Sequence, residues 1–320
     1  MRLVFMGTPE SAVLSLRRLI DDRHEIVAVW TQPDRPAGRG NKLHQSPVKE
    51  FAVQHNLTVH QPLKIKTEDA RELFASHNAD AAVVVAYGRI LPANFLSAPG
   101  HGCINVHFSL LPKYRGAAPV NWAIVEGEKE TGVTTMQIVE ELDAGPILLQ
   151  CATDIGEGET APELMKRLAV LGADLLSDTL KGLEDIEPQA QRNEDATFAP
   201  MLKRETGRID WTMGAVAIDR RVRGLQPWPN AYTTLNSRRL IIRQATAEKL
   251  QQVSAGIQIA PGQIIEAQGD RLVIACQDAT ALRILELQPE DLRRMSARDF
   301  LNGTHVRLGE VLGERDSNEA

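Results

Sequence analysis

The chain has 320 residues, of which 43% are hydrophobic and 24% charged, and its net charge at pH 7 is −6. This length suggests about two domains, and the composition is ordinary for a soluble globular protein. Charged residues interrupt the N-terminal apolar stretch too early for a signal peptide, and no apolar run approaches the ~20 residues needed to span a bilayer. The three cysteines form no CxxC pair. We therefore expect a cytoplasmic protein with reduced thiols and no membrane contact.

The first 183 residues alternate short apolar runs with amphipathic segments, a pattern typical of βαβ units around a parallel sheet. The predicted strands are residues 3–6, 25–30, 81–86 and 103–106, followed by a hairpin-like pair at 132–139 and 147–153. The predicted helices are residues 11–20, 48–55, 67–76, 117–126 and 161–183, with Pro9 suited to the first turn of the first one. Residues 31–46 are interpreted as a long loop. The fold class predicted for residues 1–183 is α/β.

The pattern changes after Gly182. Residues 184–205 are polar and have little periodicity, so we predict a linker there. The elements predicted beyond it are a helix at 216–223 and short strands at 231–235, 240–243, 263–267, 272–276 and 282–287. Short strands at this spacing suggest a small β-barrel of OB type over residues 206–314, followed by a polar tail at 315–320.

Residues 102–119, GCINVHFSLLPKYRGAAP, carry the strongest chemical signal. Asn105 and His107 are two apart at the end of an apolar strand, so their side chains point to the same face. An amide can donate to a developing oxyanion, and an imidazole can move a proton near neutral pH. Asp143, which precedes Gly145 by two residues, can orient the imidazole, although an Asp at such a position also suits a simple turn. Together these groups can move an acyl group onto an amine.

This segment resembles the active-site signature of the 10-formyltetrahydrofolate-dependent formyltransferases, in which an Asn, a His two residues later, an SLLP turn and a downstream Asp form the site. Further segments, in order over nearly the full chain, resemble the methionyl-tRNA formyltransferases of that superfamily: MGTPE, TQPDRPAGRG, SPVK, VVVAYGRILP, ETGVTTMQ, RIDW and QPWPNAY. The SLLPKYRG core indicates formyl transfer in general, whereas TQPDRPAGRG, RIDW and PWP indicate the tRNA enzymes. Phe108 departs from the pattern, because many relatives carry Gly there, and we expect it to alter the wall of the pocket.

The resemblance implies a Rossmann-like, parallel-sheet formyltransferase domain at residues 1–183 and an OB-like tRNA-binding domain at 206–314. It implies that Asn105 is an oxyanion donor, that a protonated His107 also stabilises the oxyanion and then moves the proton, and that Asp143 orients His107. The implied co-substrate is 10-formyltetrahydrofolate, and the implied partner is charged initiator methionyl-tRNA, with no metal. The implied folate-binding residues are Tyr87, Gly88, Arg89, Ile90, Leu91, Ser109, Leu110, Leu111 and Pro112.

Basic residues concentrate in residues 201–245, where nine basic and three acidic side chains give a net charge of +6 and leave −12 for the rest of the chain. Such a segment is typical of a phosphate-binding face, but a solvated helix face has the same composition. Residues 33–46 are Gly-rich and basic without a P-loop signature, and the resemblance assigns them to recognition of the acceptor stem. The expected tRNA-binding residues are Arg35, Arg39, Lys42, Lys203, Arg204, Arg220 and Arg223.

Three alternatives remain open at this point. The first is a transferase that acts on the amine of a sugar nucleotide with the same Asn105, His107 and Asp143. The second is a hydrolase of 10-formyltetrahydrofolate, in which water replaces the amine. The third is a nucleic-acid-binding protein with a vestigial transferase site, which the intact set of three polar residues disfavours. We expect the protein to be a monomer.

Overall fold

The computed structural model describes residues 1–37, 42–250 and 259–313. Within these residues the chain divides into two compact units. The first unit contains Met1–Pro119, Glu130–Asp154 and Glu163–Pro200; the second contains Val120–Lys129, Ile155–Pro162 and the described residues from Met201 onward. The main change of unit follows Pro200 and so falls inside residues 184–205. The function of that segment as a linker stays a prediction.

A seven-stranded sheet forms the centre of the first unit. The strands of this unit are β1 (Arg2–Gly7), β2 (Glu25–Trp30), β3 (Arg35–Ala37), β4 (Lys42–His44), β5 (Val59–His60), β6 (Ala81–Val85), β7 (Cys103–His107), β8 (Arg115–Gly116), β9 (Glu130–Gln137), β10 (Ile147–Asp154) and β11 (Phe198–Ala199). The strand order of the main sheet is β10-β9-β7-β6-β1-β2-β5. Its pairings from β7 to β5 are parallel, whereas β9 is antiparallel to both β7 and β10. The predicted parallel sheet and the predicted antiparallel pair are both confirmed.

Helices alternate with these strands along the chain at the spacing that the sequence pattern indicates. The helices up to residue 181 are α1 (Glu10–Asp21), α2 (Pro47–Gln54), α3 (Glu68–Ser76), α4 (Ala93–Leu96), α5 (Pro119–Glu126) and α6 (Ala161–Lys181). The Ser46 hydroxyl caps α2 by accepting from the Lys49 N–H, and the Thr67 hydroxyl caps α3. All five residues of β6 are buried, as expected for a strand covered on both faces. Both the capped helices and the apolar strands therefore follow directly from local sequence.

The order of the parallel strands determines where a ligand can enter. From β1 the chain moves outward through β2 to β5 and then returns to β6, on the other side of β1. In open α/β sheets, ligands bind outside the carboxyl ends of the strands at such a reversal. Two segments lie at this reversal: one begins at Thr8 after β1, and the other begins at Ala86 after β6. Strand β7 lies beside β6 in the sheet.

An antiparallel sheet forms the second unit. Its strands are β12 (Ala231–Leu235), β13 (Arg238–Lys249), β14 (Ile264–Gln268), β15 (Arg271–Cys276), β16 (Thr280–Pro289) and β17 (Met295–Ser296), and its further helices are α7 (Ala215–Gly224) and α8 (Ala297–Gly303). The order is β12-β13-β16-β15-β14, with β17 beside β16, and every pairing is antiparallel. The core of this unit includes Trp211, Ile218, Val222 and Phe300. The predicted strands are confirmed, and closure into an OB-type barrel stays a prediction.

Candidate active site

Strand β7 carries two of the three predicted catalytic side chains at its carboxyl end. Asn105 is half-buried, and no hydrogen bond engages its side-chain amide within the described parts of the chain. His107 is two residues further along the same strand and is only 5% exposed. Because alternate residues of a strand share a face, the Asn105 amide and the His107 imidazole lie side by side. The amide is thus available to donate to an incoming oxygen.

The hydrogen bond of His107 fixes which ring nitrogen carries the proton. The Nε2 atom lies 3.0 Å from the carbonyl oxygen of Tyr114. A carbonyl oxygen only accepts, so Nε2–H is the donor and Nδ1 is the free nitrogen of the neutral ring. Nδ1 lies 3.7 Å from Oδ2 of Asp143. The imidazole is therefore positioned to take up a proton at Nδ1, next to a carboxylate that stabilises the resulting cation.

The environment of His107 keeps the ring neutral at rest. Burial lowers the pKa of His107 below its ordinary value of 6.5, against the opposing effects of the Asp143 charge and the hydrogen bond to Tyr114. At pH 7 the imidazole is consequently unprotonated and can act as a base. The expectation that a protonated His107 stabilises the oxyanion stays a prediction, since the resting ring is neutral and gains its charge only when it takes up a proton.

The backbone around Asp143 holds its carboxylate towards His107. Asp143 has a left-handed conformation with φ of 50°. Its Oδ2 accepts a hydrogen bond of 2.8 Å from the backbone N–H of Gly116. Gly116 has φ of 125°, and a Cβ added there would lie 2.6 Å from the carbonyl oxygen of Ala199. Only glycine fits at residue 116, so the donor that fixes the carboxylate depends on this close approach of two chain segments.

Side chains of β9 and β10 support the SLLP turn, residues 109–112, through hydrogen bonds. The Ser109 hydroxyl donates to the Lys113 carbonyl (2.6 Å), and the Thr134 hydroxyl donates to the Ser109 carbonyl (2.7 Å). The Gln150 side chain donates to the Leu111 carbonyl at 2.8 Å. The side chains of Ser109 and Leu111 are buried. The turn thus forms a rigid wall beside the predicted catalytic side chains, and its contact with folate stays a prediction.

A second rigid segment follows β6. Ala86 and Gly88 both have positive φ, of 48° and 79°. The Thr8 hydroxyl and the Gln32 side chain each donate to the Tyr87 carbonyl at 3.1 Å, and Arg89 Nε donates to Gln32 Oε1 at 3.2 Å. The Tyr87 and Leu91 side chains are buried and Ile90 is exposed. Sequence analysis missed the supporting roles of Thr8 and Gln32, although their position after β1 and β2 is a usable signal.

Phe108 does not lie on the catalytic face. A Cβ added to Gly172 of α6 would lie 3.0 Å from Val106 Cγ1 and 3.4 Å from Phe108 Cε1. Val106 and Phe108 therefore pack against α6, on the opposite side of the strand from Asn105 and His107. The expectation that Phe108 alters the pocket wall is wrong, because strand alternation directs its ring to the helix side.

The residues predicted to bind tRNA occupy varied environments. Arg35, Lys203 and Arg204 are exposed. Arg39 and the side chain of Lys42 lie outside the described residues. Arg223 pairs with Asp219 at 2.9 Å and donates to the Glu159 carbonyl at 2.9 Å, and the Arg220 guanidinium lies against Gly127. These assignments stay predictions, with Arg35, Lys203 and Arg204 the exposed ones among those the structure describes.

The described residues contain no group of three or more His, Cys, Asp or Glu side chains arranged to hold a metal ion. The same residues include no helix with the length and apolar composition required to cross a bilayer.

Comparisons with known proteins assign the chain to a family. Residues 1–180 match the formyl transferase family, and residues 201–305 match the formyl transferase C-terminal domain. A methionyl-tRNA formyltransferase of Solibacter usitatus is 48% identical over 316 residues, covering 98% of this chain and 99% of that protein. The chain belongs to the methionyl-tRNA formyltransferase family. The methionyl-tRNA formyltransferase of Bacillus subtilis is 42% identical to it, and the match covers 98% of this chain and 98% of that protein.

Solved structures of other formyltransferases share the fold of this family member. The N-formyltransferase from Helicobacter canadensis, determined with folinic acid and dTDP-3-aminofucose, matches with a TM-score of 0.63 and 18% identity. The match covers 88% of this chain and 98% of that one. The predicted α/β formyltransferase fold is confirmed by this likeness and by the family matches.

The dependence of the His107 pKa on Asp143 can be tested directly in this member of the methionyl-tRNA formyltransferase family. In an NMR titration of the imidazole, we expect the wild-type inflection below pH 6.5. Asp143→Asn should move it to lower pH still, because the variant keeps an oxygen for the Gly116 N–H but loses the anion that favours the charged ring. Asp178→Asn, at an exposed position of α6, is the control and should leave the inflection in place. An unchanged or raised inflection in Asp143→Asn would contradict this electrostatic coupling.

Proposed function

We propose that this chain transfers the formyl group of 10-formyltetrahydrofolate to the α-amino group of methionine on charged initiator methionyl-tRNA, giving formyl-methionyl-tRNA for translation initiation. The observation that carries the proposal is the 48% identity to a methionyl-tRNA formyltransferase over 98% of the chain. The site geometry supports it, because β7 ends in an amide with no hydrogen-bond partner among the described residues and in a neutral imidazole that faces a carboxylate.

The residues present fit a folate co-substrate. After β6, Ala86 and Gly88 have left-handed conformations that shape a tight backbone turn, and the Ile90 side chain beside it is exposed. A flat heterocycle with several donors and acceptors can bind to such a backbone edge without further charged groups. When bound there, 10-formyltetrahydrofolate supplies an activated formyl group as a substrate.

Asn105 acts on the charge that develops at the formyl oxygen. Attack by the methionine amine forms a new C–N bond and gives a tetrahedral centre with a negative oxygen. The Asn105 amide donates a hydrogen bond to that oxygen, because nothing in the described residues competes for it and because it sits beside His107 on β7.

His107 moves the proton that the reaction must relocate. Its Nδ1 accepts a proton from the attacking amine, directly or through one water, and Asp143 stabilises the resulting imidazolium at 3.7 Å. The same proton then passes to the folate nitrogen, N10, as the C–N10 bond breaks. The amine loses one proton and N10 gains one, so His107 returns to its neutral state. An α-amine with a pKa near ~8 is a usable nucleophile at neutral pH, and no serine or cysteine nucleophile is required.

A sugar amine is the second candidate acceptor. The structural likeness to a sugar N-formyltransferase motivates it, but at 18% identity that likeness establishes only the fold. Parallel assays with charged initiator methionyl-tRNA and with a dTDP-amino sugar distinguish the two acceptors. We expect formyl transfer to the tRNA alone. Transfer only to the sugar amine would overturn the proposed acceptor, and formate release without any acceptor would identify a hydrolase.

We propose that the tRNA contacts involve Arg35, Arg39, Lys42, Lys203, Arg204, Arg220 and Arg223. The exposure of Lys203 and Arg204 at the start of the second unit supports this assignment for these two. Binding to an OB-like C-terminal domain, a monomeric state and a cytoplasmic location belong to the same proposal. The net +6 of residues 201–245 within an acidic chain supports the tRNA-binding part of this proposal.

The salt dependence of tRNA binding tests the two exposed side chains. We expect Lys203→Gln/Arg204→Gln to weaken binding and to flatten the plot of log Kd against log salt concentration by about one unit of slope per lost phosphate contact. Lys166→Gln, which removes one positive charge from the exposed surface of α6, is the control and should retain the wild-type slope. A slope unchanged in the double variant would mean that residues 203 and 204 belong to a solvated surface.

A further inference from the structure

Arg115 is a buried arginine whose hydrogen-bond partners are neutral. Its side chain is 3% exposed. Nε and Nη2 both donate to Oε1 of Gln191, at 3.0 and 2.8 Å, and Nη2 also donates to Oδ1 of Asn193 at 2.9 Å. Its carboxylate neighbour, Glu141, is 3.8 Å away and 70% exposed. Burying a charge in this way is costly without full hydrogen bonding, so the arrangement calls for an explanation.

The arginine fixes the orientation of the Gln191 amide. A guanidinium only donates, so the atom that faces Arg115 must be the oxygen of Gln191. The amide nitrogen then points the other way and donates to the carbonyl oxygens of Asp143 (2.8 Å) and Gly145 (2.7 Å). Gln191 thereby uses both lone pairs and both N–H groups, and it connects Arg115 directly to the backbone that carries the Asp143 carboxylate.

The backbone at residues 143–145 requires such support. Asp143 is in the left-handed region, and a Cβ at Gly145 would overlap the carbonyl oxygen of Gln137. The chain segment of Gln191 is itself anchored, because the backbones of Gln189 and Ile147 exchange two hydrogen bonds of 2.8 Å. The anchored segment that carries Gln191 thus holds the strained backbone of residues 143–145 through the Gln191 side chain alone.

We propose that Arg115 and Gln191 are positioning residues, which hold residues 143–145 so that the Asp143 carboxylate faces Nδ1 of His107. The inference rests on the proposed function for its catalytic meaning. It assigns a role to residue 191, which sequence analysis placed in a linker. Strand β8 then holds Asp143 at two points: the Gly116 N–H binds the carboxylate, and Arg115 binds the backbone through Gln191.

The Gln191→Glu variant distinguishes a role of Gln191 in positioning Asp143 from a role in packing alone. The carboxylate still accepts from Arg115, but it cannot donate to the carbonyls of Asp143 and Gly145 and instead repels them. We expect the NMR inflection of His107 to move to lower pH, in the same direction as in Asp143→Asn, because Asp143 supplies the ionic interaction that raises the pKa of this buried ring. This titration needs no substrate, so it tests the inference even if the proposed acceptor is wrong.

Kinetics give the second readout. We expect Gln191→Glu to lower kcat by up to about 10²-fold with little change in KM for the tRNA, since misplacing a catalytic group by about 1 Å has an effect of this size. In an Asp143→Asn background the same substitution should cost little more, because both changes remove one interaction. Gln191→Met, which removes donors and acceptor without adding charge, should shift the inflection in the same direction.

Gln189→Glu is the matched control, because Gln189 is exposed and contributes its backbone to the pairing with Ile147. It should retain the wild-type inflection and kcat. A Gln191→Glu protein with lower stability but an unmoved His107 inflection would overturn the proposal. So would a loss of kcat that adds in full to that of Asp143→Asn.

Discussion

His107→Gln is expected to lower kcat for formyl-methionyl-tRNA formation by about 10²–10⁴-fold, the usual contribution of a general base. Glutamine can still donate to the Tyr114 carbonyl, so the variant should keep the local structure while losing the nitrogen that accepts the amine proton. Rapid-quench kinetics at saturating substrates measure this effect on the transfer step. Circular dichroism and thermal unfolding verify that the fold is retained.

His101→Gln is the matched control for this experiment. His101 is exposed and precedes β7, at the opposite end of the strand from His107. The control should have wild-type kcat. If His107→Gln retained wild-type turnover as well, His107 would have no part in proton transfer.

Asn105→Ala should lower kcat by about 10²–10³-fold, the typical loss when one oxyanion donor is removed. The fold should tolerate the change, because the side chain is half-buried and makes no hydrogen bond within the described residues. Asn105→Asp keeps the size of the side chain but replaces the donor with an acceptor, so its loss should equal or exceed that of the alanine variant. Steady-state kinetics of all three proteins test the assignment.

The controls for Asn105 separate catalysis from binding. Asn302→Ala, at an exposed position of α8, should leave kcat unchanged. Folate affinity, measured by fluorescence titration, should remain close to wild type in Asn105→Ala, since the amide acts mainly on the charge of the transition state. A proportional loss of folate affinity with unchanged kcat would make Asn105 a binding residue instead.

The regular part of the fold could be predicted because its signals are local. The apolar runs that became β1, β2, β6 and β7 are largely buried, and the Ser46 and Thr67 caps precede recognisable amphipathic segments. The short pairs β3–β4 and β8–β11 were not predicted, because strands of two or three residues leave no periodicity. Helix α8, of seven residues, was missed because it is shorter than a reliable amphipathic window.

The placement of the candidate catalytic side chains on one strand face could be predicted, but the residues that support them could not. Asn105 and His107 are neighbours in one strand, so their common face follows from alternation. The partners of Asp143 are remote: Gly116 is 27 residues away and Gln191 is 48 residues away. Contacts between polar residues at such separations have no sequence pattern. The neutral state of His107 likewise arises from burial, which depends on the whole packed sheet.

The most direct test of the proposed activity is incubation of the purified 320-residue chain with 10-formyltetrahydrofolate and charged initiator methionyl-tRNA, with mass spectrometry of the amino acid released from the tRNA. We expect formyl-methionine in amounts that grow with time for the wild-type protein and that fall sharply in His107→Gln. Unformylated methionine after incubation with the wild-type protein, while the folate is shown to bind, would contradict the proposed activity.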